Sequence, residues 1–340
     1  MSNESDILNV ISDMCTSNNE FSSWNLVETI FDLPRSVSGE GNVKTLEAIK
    51  EFVGPDFEIR GFEKDEYYSW TKPDYWIFRS AHISSISGEV IVSADDNILQ
   101  LLIHSAPFSG SISIDELVEH LYVSEYDEII PYRTSYYKKS WGFCVSKSQF
   151  EELSKHAQLV VKIDTEFRNL PVPYGELIVT GNSKKEILLS SYICHPSMAN
   201  NELSGILLIA RLMRSIQHLS QRGELPYTIR FVLAPETFGS IAYIEENFDQ
   251  LVARTKGVVV CSCVGDGRKV SLVKGRKPSN FYASLHLSAK SVASENKLDF
   301  QEYSFLERGA DERQFASPHV ALDVGTLCNT KFGEYPEYHT

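Results

Sequence analysis

The feature that most constrains the fold is an alternation of apolar, strand-length segments with helical ones in the second half of the chain. Runs typical of strands cover 175–180, 187–194, 228–233 and 258–263, and runs typical of helices cover 205–215 and 241–248. This alternation favours an α/β fold with a mixed, largely parallel sheet flanked by helices. In sheets of this kind, ligands bind just beyond the carboxyl ends of the strands.

The first half of the chain has a different pattern. Apolar spacing predicts two helices between residues 24 and 53, and residues 56–62 alternate like a strand. An aromatic-rich stretch at 67–76 precedes short strand-like runs and a predicted helix over 114–121, with Ser113 as its N-cap. We therefore predict a small inserted α+β domain at 69–153, beside the active-site edge of a larger domain made of 1–68 and 154–340.

Charge and composition exclude several classes of function. The chain has 32 basic and 46 acidic residues, a net charge of −14, which repels phosphate backbones and makes nucleic acid an unexpected partner. No apolar run approaches the roughly 20 residues of a membrane span. Residues 1–22 lack a basic, apolar leader pattern, so a cytoplasmic location is predicted. The six cysteines lack zinc-ribbon spacing and are expected to be reduced.

Three polar residues follow strand-like runs, where the carboxyl edge of the sheet would place a site. They are His195 after 187–194, Glu236 after 228–233 and Asp266 after 258–264. A histidine and two carboxylates at one edge could bind a divalent cation or perform acid–base chemistry. Each residue alone is more often a cap or surface group, because strand-end loops are polar in any case. The coincidence of the three favours a functional site.

Four ordered motifs carry a family resemblance. They are CHPSMANNELSG at 194–205, PETFGS at 235–240, RGADERQF at 308–315 and GEYPEYHT at 333–340. Together they resemble the signatures of a bacterial family of unknown function with an aminopeptidase-like domain. That family is associated by name with polysaccharide biosynthesis and is related to the zinc aminopeptidases of peptidase family M28. The resemblance covers nearly the whole chain and implies a zinc-exopeptidase-like fold.

The resemblance also implies roles for individual residues. His195 and His339 are similar to zinc ligands, and Glu236 matches an acidic residue that serves as general base or ligand. Asp266 is a further candidate ligand, and Asp311 matches an active-site aspartate without an assigned role. The implied reaction is hydrolysis of a peptide or a small amide by a zinc-activated water.

One departure from the family pattern affects the metal. Asn201 stands at a metal position where the family has aspartate, and a neutral amide oxygen is a poor zinc ligand. We therefore expect one zinc ion, held by His195, His339 and one carboxylate. The alternative is a catalytically altered or inactive relative that binds a peptide, a glycan precursor or a protein partner. If Thr340 is the natural terminus, His339 is expected to be ordered only when metal is bound.

Overall fold

The computed structural model describes residues 23–307, 309 and 311–339. The first half begins with two helices, α1 (Ser23–Ile30) and α2 (Glu40–Val53). Strands and two short helices follow, in the order β1 (Glu58–Phe62), β2 (Glu66–Tyr67), β3 (Trp70–Thr71), β4 (Tyr75–Ser85), β5 (Val90–Ser93), β6 (Phe108–Ser113), helix α3 (Ile114–Leu117), β7 (Leu121–Val123), β8 (Phe143–Val145), helix α4 (Lys147–Leu153) and β9 (Gln158–Arg168).

The second half alternates strands and helices. Its elements are β10 (Val172–Val179), β11 (Glu186–Tyr192), α5 (Ser204–Gln221), β12 (Thr228–Ala234), α6 (Phe238–Arg254), β13 (Thr255–Cys261), β14 (Lys269–Lys274), α7 (Asn280–Glu295), β15 (Asp299–Tyr303), α8 (Glu312–Phe315) and β16 (Val324–Cys328). A π-helical turn, Ala199–Leu203, leads directly into α5.

Eight strands form the main sheet, in the order β1-β10-β12-β11-β13-β16-β14-β15. The central strands β12, β11, β13 and β16 are parallel, whereas β10 pairs antiparallel with β12, and β14 pairs antiparallel with β16. The carboxyl ends of β11 and β12 therefore lie side by side, with Tyr192 opposite Ala234. The mixed α/β architecture expected from the sequence is confirmed.

Apolar side chains on the two faces of this sheet form two cores. Because successive residues of a strand point to opposite faces, Phe231 and Leu233 of β12 pack with α1, α2 and α5, while Val232 and Ala234 pack with α6 and α8. Helix α5 approaches the sheet closely at Gly205, where a Cβ would lie 2.6 Å from the carbonyl oxygen of Cys261. This close contact fixes the start of α5 against the carboxyl ends of the strands.

A second, antiparallel sheet of four strands has the order β5-β4-β9-β6 and its own core. Its central strand β9 comes after residue 153, so the strands that pair in this sheet extend from β4 to Arg168. Ser113 caps α3 with a reciprocal capping box, but the helix ends at Leu117 and β7 begins at Leu121. A 3-10 turn, Ile98–Gln100, lies between β5 and β6.

The cysteines of the described residues are buried free thiols: Cys144, Cys194, Cys261, Cys263 and Cys328. Cys15 lies outside the described residues. Among the helices of the described residues, none has the length and apolarity needed to cross a membrane.

Candidate metal and catalytic site

His195 and Glu236 meet at the carboxyl edge of the main sheet. Each follows a strand by two or three residues, and the two strands, β11 and β12, are parallel neighbours. The distance from His195 Nε2 to Glu236 Oε2 is 3.8 Å, and the histidine is 6% exposed. His195 and Glu236, two of the three strand-end residues expected from the sequence to lie together, are therefore close neighbours in the structure.

His339 joins the pair from the end of the described chain. Its ring centroid lies 5.5 Å from that of His195, and its ring stacks on Tyr338 at 3.9 Å. Its backbone carbonyl accepts a hydrogen bond of 3.0 Å from the Tyr132 amide. Its Nε2 is buried and has no hydrogen-bond partner. Protein contacts therefore hold this histidine, and one ring nitrogen remains available to a ligand.

The thiol of Cys194 is a third potential donor. One ligand atom from each of Cys194, His195 and Glu236 fits in a group whose members lie within 4.8 Å of one another. The thiol lies 3.3 Å from His195 Nδ1 and accepts a hydrogen bond of 3.4 Å from the Glu236 amide. Burial raises the pKa of this thiol. Nothing in the sequence distinguishes Cys194 as a ligand, because a lone cysteine has no characteristic spacing.

Glu202 fixes the position of His195 through hydrogen bonds to its backbone and its ring. Its Oε2 accepts hydrogen bonds from the backbone amides of Cys194 and His195, both at 2.6 Å, and lies 3.1 Å from His195 Nδ1. Its Oε1 accepts from Arg35 Nε at 2.9 Å, and both side chains of this ion pair are 0% exposed. Arg35 also donates to the carbonyls of Ile30 and His195. A carboxylate on Nδ1 fixes the ring orientation and leaves Nε2 to face Glu236.

Asn201 contacts Tyr192, whose ring is a neighbour of His195. Its Nδ2 donates to the Tyr192 hydroxyl at 2.8 Å, and the Tyr192 ring lies 5.1 Å from the His195 ring. Its Oδ1 is buried and has no hydrogen-bond partner. A buried carbonyl oxygen without a donor is unusual, so this position could accept a hydrogen bond or face a cation.

Asp311 supports the turn that carries Glu236. Its Oδ1 accepts hydrogen bonds from the Thr237 amide at 2.7 Å and from the Ser240 hydroxyl at 2.9 Å. Burial raises the pKa of Asp311 to about 6. These bonds anchor the residue after Glu236 and the first turn of α6, so this aspartate positions Glu236.

Asp266 is not brought together with the histidines. Its Oδ1 accepts from the Thr330 hydroxyl at 2.8 Å and from the Arg268 amide at 3.0 Å, while its Oδ2 accepts from Asn200 Nδ2 at 3.0 Å. Burial opposes ionisation, but these hydrogen bonds outweigh it and keep the pKa below its usual value. Asp266 ties three loops together, and its oxygens are already used.

Burial sets the electrostatics of the site. It raises the pKa of Glu236 to about 7 and lowers that of His339 to about 3. Burial also acts to lower the pKa of His195, but contacts with Tyr132 and Cys194 outweigh it and raise that pKa well above its usual value. Groups shifted in this way by desolvation and close neighbours are typical of functional sites.

Strained backbone surrounds the same residues. Among the described residues, Ser197, Thr237, Cys263 and His339 are non-glycine residues with φ between 53° and 66°. Two of them lie within two positions of His195 or Glu236, and Cys263 receives a hydrogen bond from Asn201. Such conformations cost of order 1–3 kcal/mol each and cluster where function requires a fixed geometry.

The donor set fits a zinc ion. Imidazole nitrogens with a carboxylate are the usual ligands of catalytic zinc, which keeps one position open for water or substrate. His195 and Glu236 provide two such donors 3.8 Å apart, and the unpartnered Nε2 of His339 belongs to a ring whose centroid lies 5.5 Å from that of His195. The carboxylate of Glu202 on Nδ1 of His195 is the support that zinc-binding histidines commonly have.

Residues 24–340 match the protein family described as a domain of unknown function, DUF4910. The chain belongs to the DUF4910 family. Its resemblance to an aminopeptidase-like family is thereby confirmed. A Clostridium acetobutylicum relative, named for polysaccharide biosynthesis and an aminopeptidase-like domain, is 34% identical over 320 residues, which is 93% of this chain and 71% of the relative.

Solved structures show the same fold. A Clostridium acetobutylicum protein described as a peptidase matches this DUF4910 chain with a TM-score of 0.85 at 31% identity, over 97% of this chain and 74% of its own. A zinc aminopeptidase from Bacillus subtilis matches with a TM-score of 0.61 at 14% identity, over 95% and 89% of the two chains. A peptidase M28 precursor from Shewanella amazonensis SB2B matches with a TM-score of 0.62 at 14% identity, over 98% and 89%.

Proposed function

We propose that this DUF4910 protein is a zinc-dependent hydrolase of peptide or small amide bonds. The observation that carries the proposal is the 3.8 Å distance between His195 Nε2 and Glu236 Oε2 at the carboxyl edge of the sheet. The ring of His339, whose Nε2 has no hydrogen-bond partner, lies 5.5 Å from that of His195. The likeness in fold to zinc aminopeptidases supports it. The name of the Clostridium relative extends the candidate substrates from peptides to amide groups of polysaccharide precursors.

One zinc ion is proposed, with His195 and His339 as ligands and Glu236 as the carboxylate beside them. Asn201 offers a neutral amide oxygen where a second ion would need a bridging carboxylate. Asp266 is removed from the proposed ligands because its oxygens accept hydrogen bonds from Asn200, Arg268 and Thr330. When bound, zinc supplies a positive charge that polarises a substrate carbonyl and acidifies water to a pKa near 7.

The protein's own groups prepare this chemistry. Glu202 and Arg35 orient His195, and Asp311 fixes the turn that presents Glu236. Since burial raises the pKa of Glu236 to about 7, its carboxylate can take up a proton near neutral pH and release it again. The rings of Tyr132 and Tyr192, 5.2 and 5.1 Å from the His195 ring, limit the access of solvent to the histidine.

Metal content tests the proposal. Elemental analysis of the purified protein is expected to give close to one zinc per chain, and His195→Ala and His339→Ala are expected to lose it. His218→Ala is the matched control, because His218 is exposed on α5 and remote from the site motifs. Zinc absent from the parent protein after reconstitution, or two ions at full occupancy, contradicts the proposal.

Glu236→Gln separates the two roles open to that carboxylate. If Glu236 is a ligand, the variant binds zinc more weakly and loses turnover in parallel. If it is the base, zinc content is retained and turnover alone falls, by about 10²–10⁴-fold as is typical of general bases. A variant with full zinc and full activity would exclude Glu236 from both roles.

A further inference from the structure

A cavity of about 190 Å³ lies beside the candidate metal site. Two chain segments contribute most of its wall: residues 71–74, which link β3 to β4, and residues 135–139, which precede β8. We call it the lysine cavity because Lys72, Lys138 and Lys139 line it. His104 is also part of the lining.

The lysine cavity is positively charged within a protein of net charge −14. Asp74 is the carboxylate in its lining, and it pairs with Lys139 at 3.3 Å. The side chain of Lys72 is 7% exposed, and its ammonium group lies 3.4 Å from Asp65 Oδ1. Lys138 has no acceptor for its ammonium group within the part of the chain that the structure describes. Lys72 is engaged by Asp65 and by the Glu63 carbonyl, and Lys139 is engaged by Asp74, so among the described residues Lys138 keeps the unpaired ammonium group of the three.

Two neutral residues, His104 and Ser135, complete this part of the cavity lining. His104 is 3% exposed, its Nδ1 is hydrogen-bonded to the Ser36 hydroxyl at 2.8 Å, and burial lowers its pKa to about 4. It is therefore uncharged at neutral pH. The Ser135 hydroxyl donates to the carbonyl of His104 at 2.9 Å, which fixes the wall of the cavity.

A single layer of tyrosines separates the lysine cavity from the metal site. Tyr136 lines the cavity, and its hydroxyl donates to the Cys194 carbonyl at 3.3 Å and lies 2.9 Å from the Tyr132 hydroxyl. The ring of Tyr132 lies 5.2 Å from that of His195. A ligand in the cavity would thus sit next to the candidate site without contacting its metal-binding atoms.

We propose that the lysine cavity binds a small oxyanion, a phosphate or carboxylate group of a small ligand. Lysine ammonium groups bind such anions as point charges, and the exposed side chains of Lys138 and Lys139 are accessible to an anion from solution. The volume accommodates one such group. The site is independent of zinc, so it goes beyond the proposed hydrolase function.

Calorimetric titration tests this with zinc-stripped protein, inorganic phosphate and acetate. In zinc-stripped protein neither anion can bind through a metal. The result is therefore valid whether or not the protein proves to bind zinc. We expect saturable binding of at least one anion, and the tighter of the two identifies the ligand group. Lys138→Ala/Lys139→Ala should weaken it by about tenfold or more, the loss expected for charge-assisted contacts.

Two further variants make the test specific. Asp74→Asn should tighten binding severalfold, because it frees Lys139 from its carboxylate partner. Lys290→Ala should leave binding unchanged, because Lys290 is exposed on α7 and does not line the cavity. If the double variant fails to fold, Lys138→Ala alone replaces it. Absence of binding by both anions, or equal binding in all variants, overturns the proposal.

Discussion

The ion pair beneath His195 makes Glu202→Gln the most informative substitution. The carboxylate of Glu202 accepts from two backbone amides and His195 Nδ1 on one oxygen, and from Arg35 on the other. A glutamine keeps the size of the side chain but replaces one oxygen by an NH₂ donor. Whichever way the amide turns, a donor faces a donor, and Arg35 loses its buried counter-charge.

The magnitude follows from this burial. Both partners are 0% exposed, and removing one partner of a buried pair typically costs about 3–5 kcal/mol. With an unfolding entropy of about 2.1 cal/mol/K per residue, a domain of this size has roughly 0.7 kcal/mol/K in total. The melting temperature should therefore fall by about 4–7 °C, and zinc affinity by about 10- to 100-fold, as when the support of a metal-binding histidine is lost.

Urea unfolding and zinc competition with a chelator measure the two effects. Glu224→Gln is the matched control, since Glu224 pairs with Arg222 at 2.7 Å but both side chains are at least one-third exposed. Surface pairs of this kind contribute about 0–1 kcal/mol, so the control should be nearly as stable as the parent protein. If Glu202→Gln matched the control in both assays, the role assigned to Glu202 would be wrong.

The remaining predictions concern three other positions. Asn201→Asp should lower the stability of the metal-free protein by about 1–3 kcal/mol, because a buried amide oxygen without a partner is replaced by a charged carboxylate. The same substitution should raise zinc affinity, and unchanged competition with a chelator would contradict this expectation. The pKa of His104 is about 4 in the folded chain against 6.5 in the unfolded chain, so its neutral form contributes stability that is present above pH 6.5 and lost as pH falls toward 4. Over this range the unfolding free energy of the parent protein should drop by about 3 kcal/mol more than that of His104→Gln. Parallel plots of unfolding free energy against pH for the two proteins would refute this. Gly205→Ala should cost about 1–3 kcal/mol in urea unfolding, because its Cβ would lie 2.6 Å from a backbone oxygen, whereas Gly267→Ala, with no atom within 4 Å, should be neutral.

The sequence predicted the fold because its strands and helices carry separate periodicities. Apolar runs of strand length located β10 to β13 to within a few residues, and the parallel arrangement placed His195 and Glu236 at one edge. The same reasoning could not place Asp266. It lies five residues beyond β13, and a loop of that length takes its direction from tertiary contacts with Asn200 and Thr330, which sequence position does not reveal.

Other parts of the site depend on partners that are distant along the chain. Glu202 and Arg35 are 167 residues apart, and neither has a local signal that distinguishes a buried ion pair from two surface charges. Strand β9 follows residue 153 yet pairs with β4 and β6, because strand pairing is decided by the register of long-range hydrogen bonds and not by the amino-acid composition of a segment.

The π-helical turn at Ala199–Leu203 makes the site sensitive to the number of residues in the chain at this point. It holds one residue more per turn than the α-helix that follows, so deleting a single residue would let the turn continue as ordinary α-helix. The segments on either side would keep nearly the same relative orientation, because the wide turn already accommodates the extra residue. The wide turn that carries Asn201 and Glu202 would be lost, and the carboxylate of Glu202 would no longer be held at the loop of His195. Insertions and deletions within the family should therefore be found beyond the end of α5 at Gln221 and not within this turn, whatever substitutions it accepts.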